Sequence, residues 1–293
     1  KLMAAAEIGL GTWEARGVLR ALGPAAAVGF GGYPSLPTML AASALGLPTV
    51  LHEQNAKLGR VNRLLASRAG AIAASFADTQ GLREADAGKV TLTGNPVRPA
   101  IVEMREHPYV APGATAPIKI LILGGSQGAT VLSDVVPQGL IDLPVEIRAR
   151  LEIAQQCRAE DMARVRAAYA YARMKVELAT FFDDAPARLA ACHLAITRAG
   201  ASTLSELTVI GRPAVLVPYK HAADDHQTAN AKSVVGAGGA KMLAADDFTP
   251  TALTKLLRTL LSDGPALEAM ARAALQLGRV DAAARLADLV ERM

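Results

Sequence analysis

The chain has 293 residues, a formal net charge of +4, 51% hydrophobic residues and only 4% aromatics. That length suggests about two domains, and the apolar fraction supplies a large core that is aliphatic and alanine-rich. The positive charge is mild and dispersed. It suits an anionic substrate or an anionic membrane surface, and with no run of Lys and Arg interleaved with aromatics it argues against a nucleic-acid partner.

Residues 2–22 read as a helix, with Ile8, Ala15, Leu19 and Leu22 on one stripe and Leu10, Trp13, Arg16 and Arg20 on another. Gly23-Pro24 stops it. The apolar run 25–30 reads as a buried strand ending in Gly31-Gly32, followed by a helix over about 37–45. Strands at 47–51, 71–75 and 90–94 alternate with a helix near 59–67. A loop rich in Pro, Gly and charge covers 105–117. The pattern then restarts with a long buried strand at 118–125, helices near 128–140 and 159–172, and strands at 175–181, 194–198 and 213–219. Helices are expected at 203–210, 226–236, 250–262 and, unbroken, 265–292.

Strands that are apolar throughout and separated by helices predict parallel sheets covered on both faces, an α/β fold. Two such series on either side of the 105–117 break predict two doubly wound domains. Ligands in such folds bind beyond the carboxyl ends of the strands, where this chain places Gly31-Gly32-Tyr33, 52–55, Gly94-Asn95-Pro96, 124–128, 198–202 and 218–226.

The two cysteines, Cys157 and Cys192, form no CxxC pair and are expected to be reduced thiols in a cytosolic protein. No signal-peptide pattern is present and no apolar run reaches the ~18 residues of a membrane span, so a soluble or peripheral protein is expected. The chain opens on Lys1 rather than Met, directly in a helical pattern, which suggests a processed chain or a fragment.

Gly124-Gly125-Ser126-Gln127-Gly128 follows the strand at 118–125. It fits G-x-S-x-G, a nucleophile elbow around Ser126, which with Asp183 or Asp184 and His221 or His226 would make a hydrolase. It equally fits a glycine turn that cradles phosphate at a helix start, or a tight turn in which Ser126 caps the helix. The stretch 196–206 is a second strand, small-residue loop and helix unit. There Glu206 is either the far end of a capping box with Thr203 or a carboxylate that accepts from a vicinal diol. Gln227 and Asn230 share a helix face and suit a sugar or a polar helix start. His221, Asp224, Asp225 and His226 match no tetrahedral zinc spacing. The stripe of Leu10, Trp13, Arg16 and Arg20 suits an anionic membrane surface or a contact with a neighbouring domain.

Seven strings occur in the order found in the MurG family of N-acetylglucosaminyltransferases, which the chain resembles over nearly its whole length. They are GFGGYPS (29–35), LHEQNAKLGRVNRLLA (51–66), TGNPVR (93–98), LGGSQGA (123–129), FFDD (181–184), TRAGASTLSE (197–206) and HQTANA (226–231). Each is weak alone, and their joint order is specific. The resemblance implies a GT-B fold, two Rossmann-like domains facing a cleft. Residues 1–96 with a last helix at about 276–293 would form the acceptor and membrane-side domain, and 97–275 the donor-binding domain.

It further implies inverting transfer of N-acetylglucosamine from UDP-N-acetylglucosamine to the 4-hydroxyl of undecaprenyl-pyrophosphoryl-N-acetylmuramoyl pentapeptide, in peptidoglycan synthesis at the cytoplasmic face of the inner membrane. Ser126 would meet the donor pyrophosphate. Arg98, Phe182 and Asp183 would lie near the uridine, Ala201, Ser202 and Thr203 by the phosphates, Glu206 on the ribose hydroxyls, and His226 and Gln227 on the sugar. The family usually has two glutamines at the last pair, so His226 is a departure. Tyr33, His52, Glu53 and Asn55 would face the cleft from the acceptor side, with His52 and Glu53 as candidate bases. No cofactor or metal is expected, since no DxD-type acidic set stands beside the donor site. The family's first glycine-rich loop, GGTGGH-like, does not occur in this sequence. Residue 1 matches a point partway through the first domain, and a chain truncated there in the cell is expected to bind nucleotide without catalysis.

Overall fold

The computed structural model describes residues 2–125, 130–219 and 222–293. The chain divides into two compact units. One comprises the residues up to Pro96 together with Arg279–Met293, and the other is Val97–Gly278.

The first unit runs α1 (Leu2–Leu22), β1 (Ala27–Gly29), α2 (Ser35–Ala44), β2 (Thr49–Glu53), α3 (Arg60–Leu65), β3 (Ala71–Ala74) and β4 (Val90–Leu92). The four strands form one parallel sheet in the order β1-β2-β3-β4. Strand β2 shows why its apolar run is continuous rather than alternating. Leu51 packs on Leu36 and Met39 of α2 and on Val61 and Leu65 of α3. Its neighbour Val50 points to the opposite face, onto Leu286 of the chain's last helix. A strand covered on both sides needs an apolar residue at every position. Helix α1 buries Leu19 against Ala41 and Ala42 and leaves Leu10, Trp13, Val18 and Leu22 exposed.

The second unit runs α4 (Pro99–Glu103), β5 (Ile118–Leu123), α5 (Thr130–Ile141), α6 (Val145–Arg148), β6 (Leu151–Gln156), α7 (Met162–Tyr171), β7 (Val176–Ala179), α8 (Ala185–Ala191), β8 (Leu194–Thr197), α9 (Ala201–Ile210), β9 (Ala214–Leu216), α10 (His226–Gly236), β10 (Ala240–Met242), α11 (Pro250–Leu261) and α12 (Gly264–Leu277). Six parallel strands form a sheet in the order β10-β9-β8-β5-β6-β7. The core gathers Ile118, Ile120 and Ile122 of β5 with Leu132, Val136 and Leu140 of α5 and Leu253 and Leu257 of α11. From β5 the chain builds outward through β6 and β7, then returns to pair β8 on the other side of β5. The strand order therefore reverses between β5 and β8, the switch point at which doubly wound sheets open a crevice for ligand.

Helix α13 (Ala282–Glu291) closes the chain and belongs to the first unit. The expected continuous helix over 265–292 is thus two helices. Gly278, between them, is extended at φ −66 and ψ 131. A β-carbon on Gly278 would collide with the carbonyl of Thr208 and the backbone of Val209. The helix ends where the chain must pass against α9.

Candidate functional site

Two turns meet at the switch point of the second unit. Leu123 ends β5 beside Thr197 at the end of β8, and the Thr197 hydroxyl donates to the Leu123 carbonyl at 2.9 Å. Both turns therefore start from one fixed level. Gly125 has φ +83 with open space around it, a conformation that favours glycine, here without any crowding. Gln156, at the end of β6, accepts from the Gly124 N–H at 3.2 Å and donates to the Thr180 carbonyl at 3.1 Å, so one side chain holds the glycine turn. Ser126, the residue on which the elbow and phosphate readings diverge, lies outside the described residues, as does His221.

After β8, Gly200 is the N-cap of α9, extended at φ −69 and ψ 140 and without a side-chain cap. The helix begins at Ala201, so Thr203 sits inside the first turn. A capping box needs Thr203 at the N-cap, and that reading of Glu206 is thereby corrected. The first-turn N–H groups of Ala201, Ser202 and Thr203 lack intrahelical acceptors, and the positive end of the helix dipole coincides with them.

Glu206 lies one turn further along α9, with its side chain 17% exposed. Arg98, the N-cap residue of α4, brings Nε to 3.1 Å and Nη2 to 2.9 Å from the same oxygen, Oε1. Among the described residues nothing donates to Oε2. Burial pushes the Glu206 carboxyl up from the ordinary carboxylate range, and Arg98 offsets part of that shift.

The FFDD segment divides its residues. The Phe182 ring is buried beneath the Arg188 guanidinium, 4.2 Å from its centroid. Arg188 is gripped by Glu177 at 2.6 and 2.7 Å and by Asp184 at 2.6 Å. The pair with Arg188 holds Asp184 below the usual carboxylate range. The Phe182 ring is therefore packed within the second unit. Phe181 is the ring that faces outward, together with Asp183.

Beyond β9, Asp224 and Asp225 stand in succession at φ 52 and 56, a strained conformation for residues other than glycine. They deliver the start of α10. Gln227 accepts from the Tyr219 N–H at 2.9 Å. Asn230 is fully buried and donates to the Ala199 carbonyl at 3.1 Å, so its amide ties α10 to the turn after β8 and is not presented to a sugar. Arg198 donates to the carbonyls of Val217 and Pro218 at 3.2 and 3.1 Å and lies over the Tyr219 ring. Among the described residues, no group of three or more His, Cys, Asp or Glu side chains is placed to hold a metal ion.

In the first unit the residues behind β2 close on one another. His52 is buried. Its Nε2 donates to the Gly94 carbonyl at 3.2 Å, and its Nδ1 accepts from the Gln54 amide at 3.0 Å, which sets the neutral tautomer. Burial lowers the imidazole pKa, against opposing effects of the Gly94 bond and the Glu53 charge. Glu53 accepts from the Asn55 N–H (3.0 Å) and Asn55 Nδ2 (3.2 Å) on Oε1, and from the Gly59 N–H (2.8 Å) and Asn62 Nδ2 (2.9 Å) on Oε2. Neither group offers a lone pair to a hydroxyl proton. Both candidate bases, His52 and Glu53, thus spend their acceptor capacity inside the first unit in this structure. Asn62 also donates to the His52 carbonyl, at 3.1 Å. Sequence reading passed over both Asn62 and Gln156, although Asn62 stands inside one of the quoted strings. Tyr33 is exposed in the turn after β1, and Asn55 is half-buried.

The chain matches the glycosyltransferase family 28 N-terminal domain over residues 1–74 and the C-terminal domain of the same family over residues 119–290. It is 51% identical to the UDP-N-acetylglucosamine–N-acetylmuramyl-(pentapeptide) pyrophosphoryl-undecaprenol N-acetylglucosamine transferase of Rhodospirillum centenum, over 99% of this chain and 76% of that protein. It is 50% identical to the transferase of the same name from Paramagnetospirillum magneticum, over 99% of this chain and 78% of that protein. Among solved structures it is similar to Acinetobacter baumannii MurG, with a TM-score of 0.83 and 34% identity, covering 99% of this chain and 81% of that one.

Proposed function

We propose that this chain, which belongs to glycosyltransferase family 28 and within it to the MurG transferases, moves N-acetylglucosamine from UDP-N-acetylglucosamine to the 4-hydroxyl of undecaprenyl-pyrophosphoryl-N-acetylmuramoyl pentapeptide. It is a UDP-N-acetylglucosamine-dependent glycosyltransferase of peptidoglycan synthesis with the GT-B fold.

The second unit binds the donor. The pyrophosphate lies across the Gly124-Gly125 turn, Ser126 and the first turn of α9 at Ala201, Ser202 and Thr203. Glu206 takes the ribose hydroxyls. Arg98, Asp183 and the backbone at Phe182 border the uridine, and His226 and Gln227 meet the sugar. The observation that carries this reading is the meeting of two glycine-containing turns where the strand order reverses, with Glu206 one helical turn beyond.

In the reaction the acceptor hydroxyl oxygen forms a bond to the anomeric carbon from the face opposite the leaving group, as its proton passes to a general base. The bond from that carbon to the diphosphate oxygen breaks, and the configuration inverts. The sugar passes through oxocarbenium character while negative charge grows on the diphosphate. Backbone N–H groups already aimed at that position stabilise the charge without reorganising. The first unit receives the acceptor through Tyr33 and Asn55. His52 and Glu53 fix the shape of the segment that carries Asn55. No metal or cofactor is given a role.

The exposed face of α1, with Leu10 and Trp13 at its centre and Arg16 and Arg20 beside them, rests on the anionic cytoplasmic face of the membrane as a peripheral contact. Among the described residues no helix is long and apolar enough to cross a membrane. Trp13→Ala with Arg16→Ala should reduce partition onto anionic vesicles, and unchanged partition returns this face to a packing role.

Calorimetric titration tests the donor assignment. UDP and UDP-N-acetylglucosamine should both bind, and thymidine diphosphate more weakly. Indifference to UDP, with labelling of Ser126 by a fluorophosphonate, would instead establish the nucleophile elbow.

A further inference from the structure

Arg98 and Glu206 are 108 residues apart in sequence, and their ion pair has an unusual form. An arginine beside a carboxylate commonly sets two donors on two oxygens, the fork-to-fork pair that gives the most hydrogen bonding. Here Nε donates to Oε1 at 3.1 Å, and Nη2 stands 2.9 Å from the same oxygen as an ion-pair contact. A carboxylate oxygen has about two lone-pair directions; both contacts of Arg98 lie on Oε1, and those of Oε2 stay open. The backbone of Arg98 is fixed by its place in the fold. Arg98 is the extended N-cap residue of α4, at φ −62 and ψ 143, and Pro99 fixes the next residue. The carboxylate is largely buried while the guanidinium is half exposed at 53%, so the pair is anchored from outside and the open oxygen lies on the sheltered group.

We propose that Arg98 is a positioning residue acting through Glu206: by occupying Oε1 it presents Oε2 alone to the 2′- and 3′-hydroxyls of the bound nucleotide, and so sets the preference for ribonucleotide over deoxyribonucleotide donors. This rests on the reading that Glu206 meets the ribose. In the complex both hydroxyls donate to one oxygen, and loss of either leaves a lone pair of a sheltered carboxylate without a partner. The guanidinium also opposes the upward shift that burial imposes on this carboxyl.

The test is calorimetric titration of UDP and of 2′-deoxy-UDP into the full chain and into Arg98→Met, Arg98→Lys, Glu206→Gln and the double variant Arg98→Met/Glu206→Gln. Thermal unfolding of each variant confirms that it is folded. The unaltered chain should prefer UDP by roughly tenfold, the worth of one charge-assisted hydrogen bond. Glu206→Gln and Arg98→Met should each abolish most of that preference, Arg98→Lys should restore part of it, and Arg98→Met should add nothing in the Glu206→Gln background. If Arg98→Met weakens both nucleotides by the same factor and keeps the preference, Arg98 acts through its place beside the uridine and not through Glu206, and the inference is overturned. If Arg98→Met changes neither affinity while Glu206→Gln removes the preference, the inference also fails and the ribose reading stands. If Glu206→Gln leaves the preference intact, the ribose reading fails and takes the inference with it.

Discussion

The polar residues behind β2 and those behind β5 and β8 occupy equivalent places, the carboxyl ends of parallel strands, yet they use their hydrogen-bonding capacity in opposite ways. Behind β2, Glu53 accepts four hydrogen bonds and His52 uses both ring nitrogens, all within the first unit. Behind β8, Glu206 keeps one oxygen open and the first turn of α9 leaves its N–H groups without intrahelical partners. A cluster that satisfies itself is scaffold, however catalytic its residue types look. A group with unused capacity at a strand-order reversal is prepared for ligand.

The largest expected effect lies in the scaffold. Glu53→Ala removes the acceptor of four donors around a buried position. It should cost about 3 kcal/mol in urea unfolding, since each donor left buried without a partner costs ~1–3 kcal/mol. UDP affinity should not change. A Glu53→Ala variant of full stability that has lost only transfer activity would break the comparison. The converse variant, Glu206→Ala, should lower UDP affinity by about 2 kcal/mol, the scale of a hydrogen bond to a charged group. Its stability should shift by less than ~1 kcal/mol, because the pair it loses with Arg98 is only partly sheltered.

The smallest effect is a pH dependence. Burial holds the His52 pKa below the ordinary imidazole value of 6.5. Between that lowered value and about 6.5 the unfolded chain binds a proton that the folded chain does not, so stability falls as pH drops through this window. The slope from this group is at most about 1.4 kcal/mol per pH unit. His52→Gln should flatten it, as measured by urea unfolding between pH 7 and pH 5. An unchanged slope would show that His52 takes its proton in the folded state.

Much of the fold was legible because its signals are local. The apolar runs that became β2, β5 and β8 are covered on both faces and carry apolar residues at successive positions. Strand β6 escaped notice because Leu-Glu-Ile-Ala-Gln-Gln is only half buried and sits among charged residues. Strand β10 has three residues, and helix α8 has seven, too few for periodicity to register. The break at Gly278 is set by the backbone of Thr208 and Val209, about 70 residues earlier, and the start of α9 by a glycine that caps with backbone alone. The site was legible as motifs, not as roles. Glu206 read as a capping residue or a ribose ligand until its partner was known to be Arg98. His52 and Glu53 read as bases because spacing cannot show that Asn55, Gly59, Asn62 and Gly94 engage their polar atoms.

The most direct test is hydrogen–deuterium exchange on the full chain with and without saturating UDP. Protection is expected over 122–130 and 197–207, the two turns at the switch point and the start of α9, with exchange across 50–62 unchanged. Protection over 50–62 with none at the two turns would contradict the assignment of the second unit as the nucleotide site.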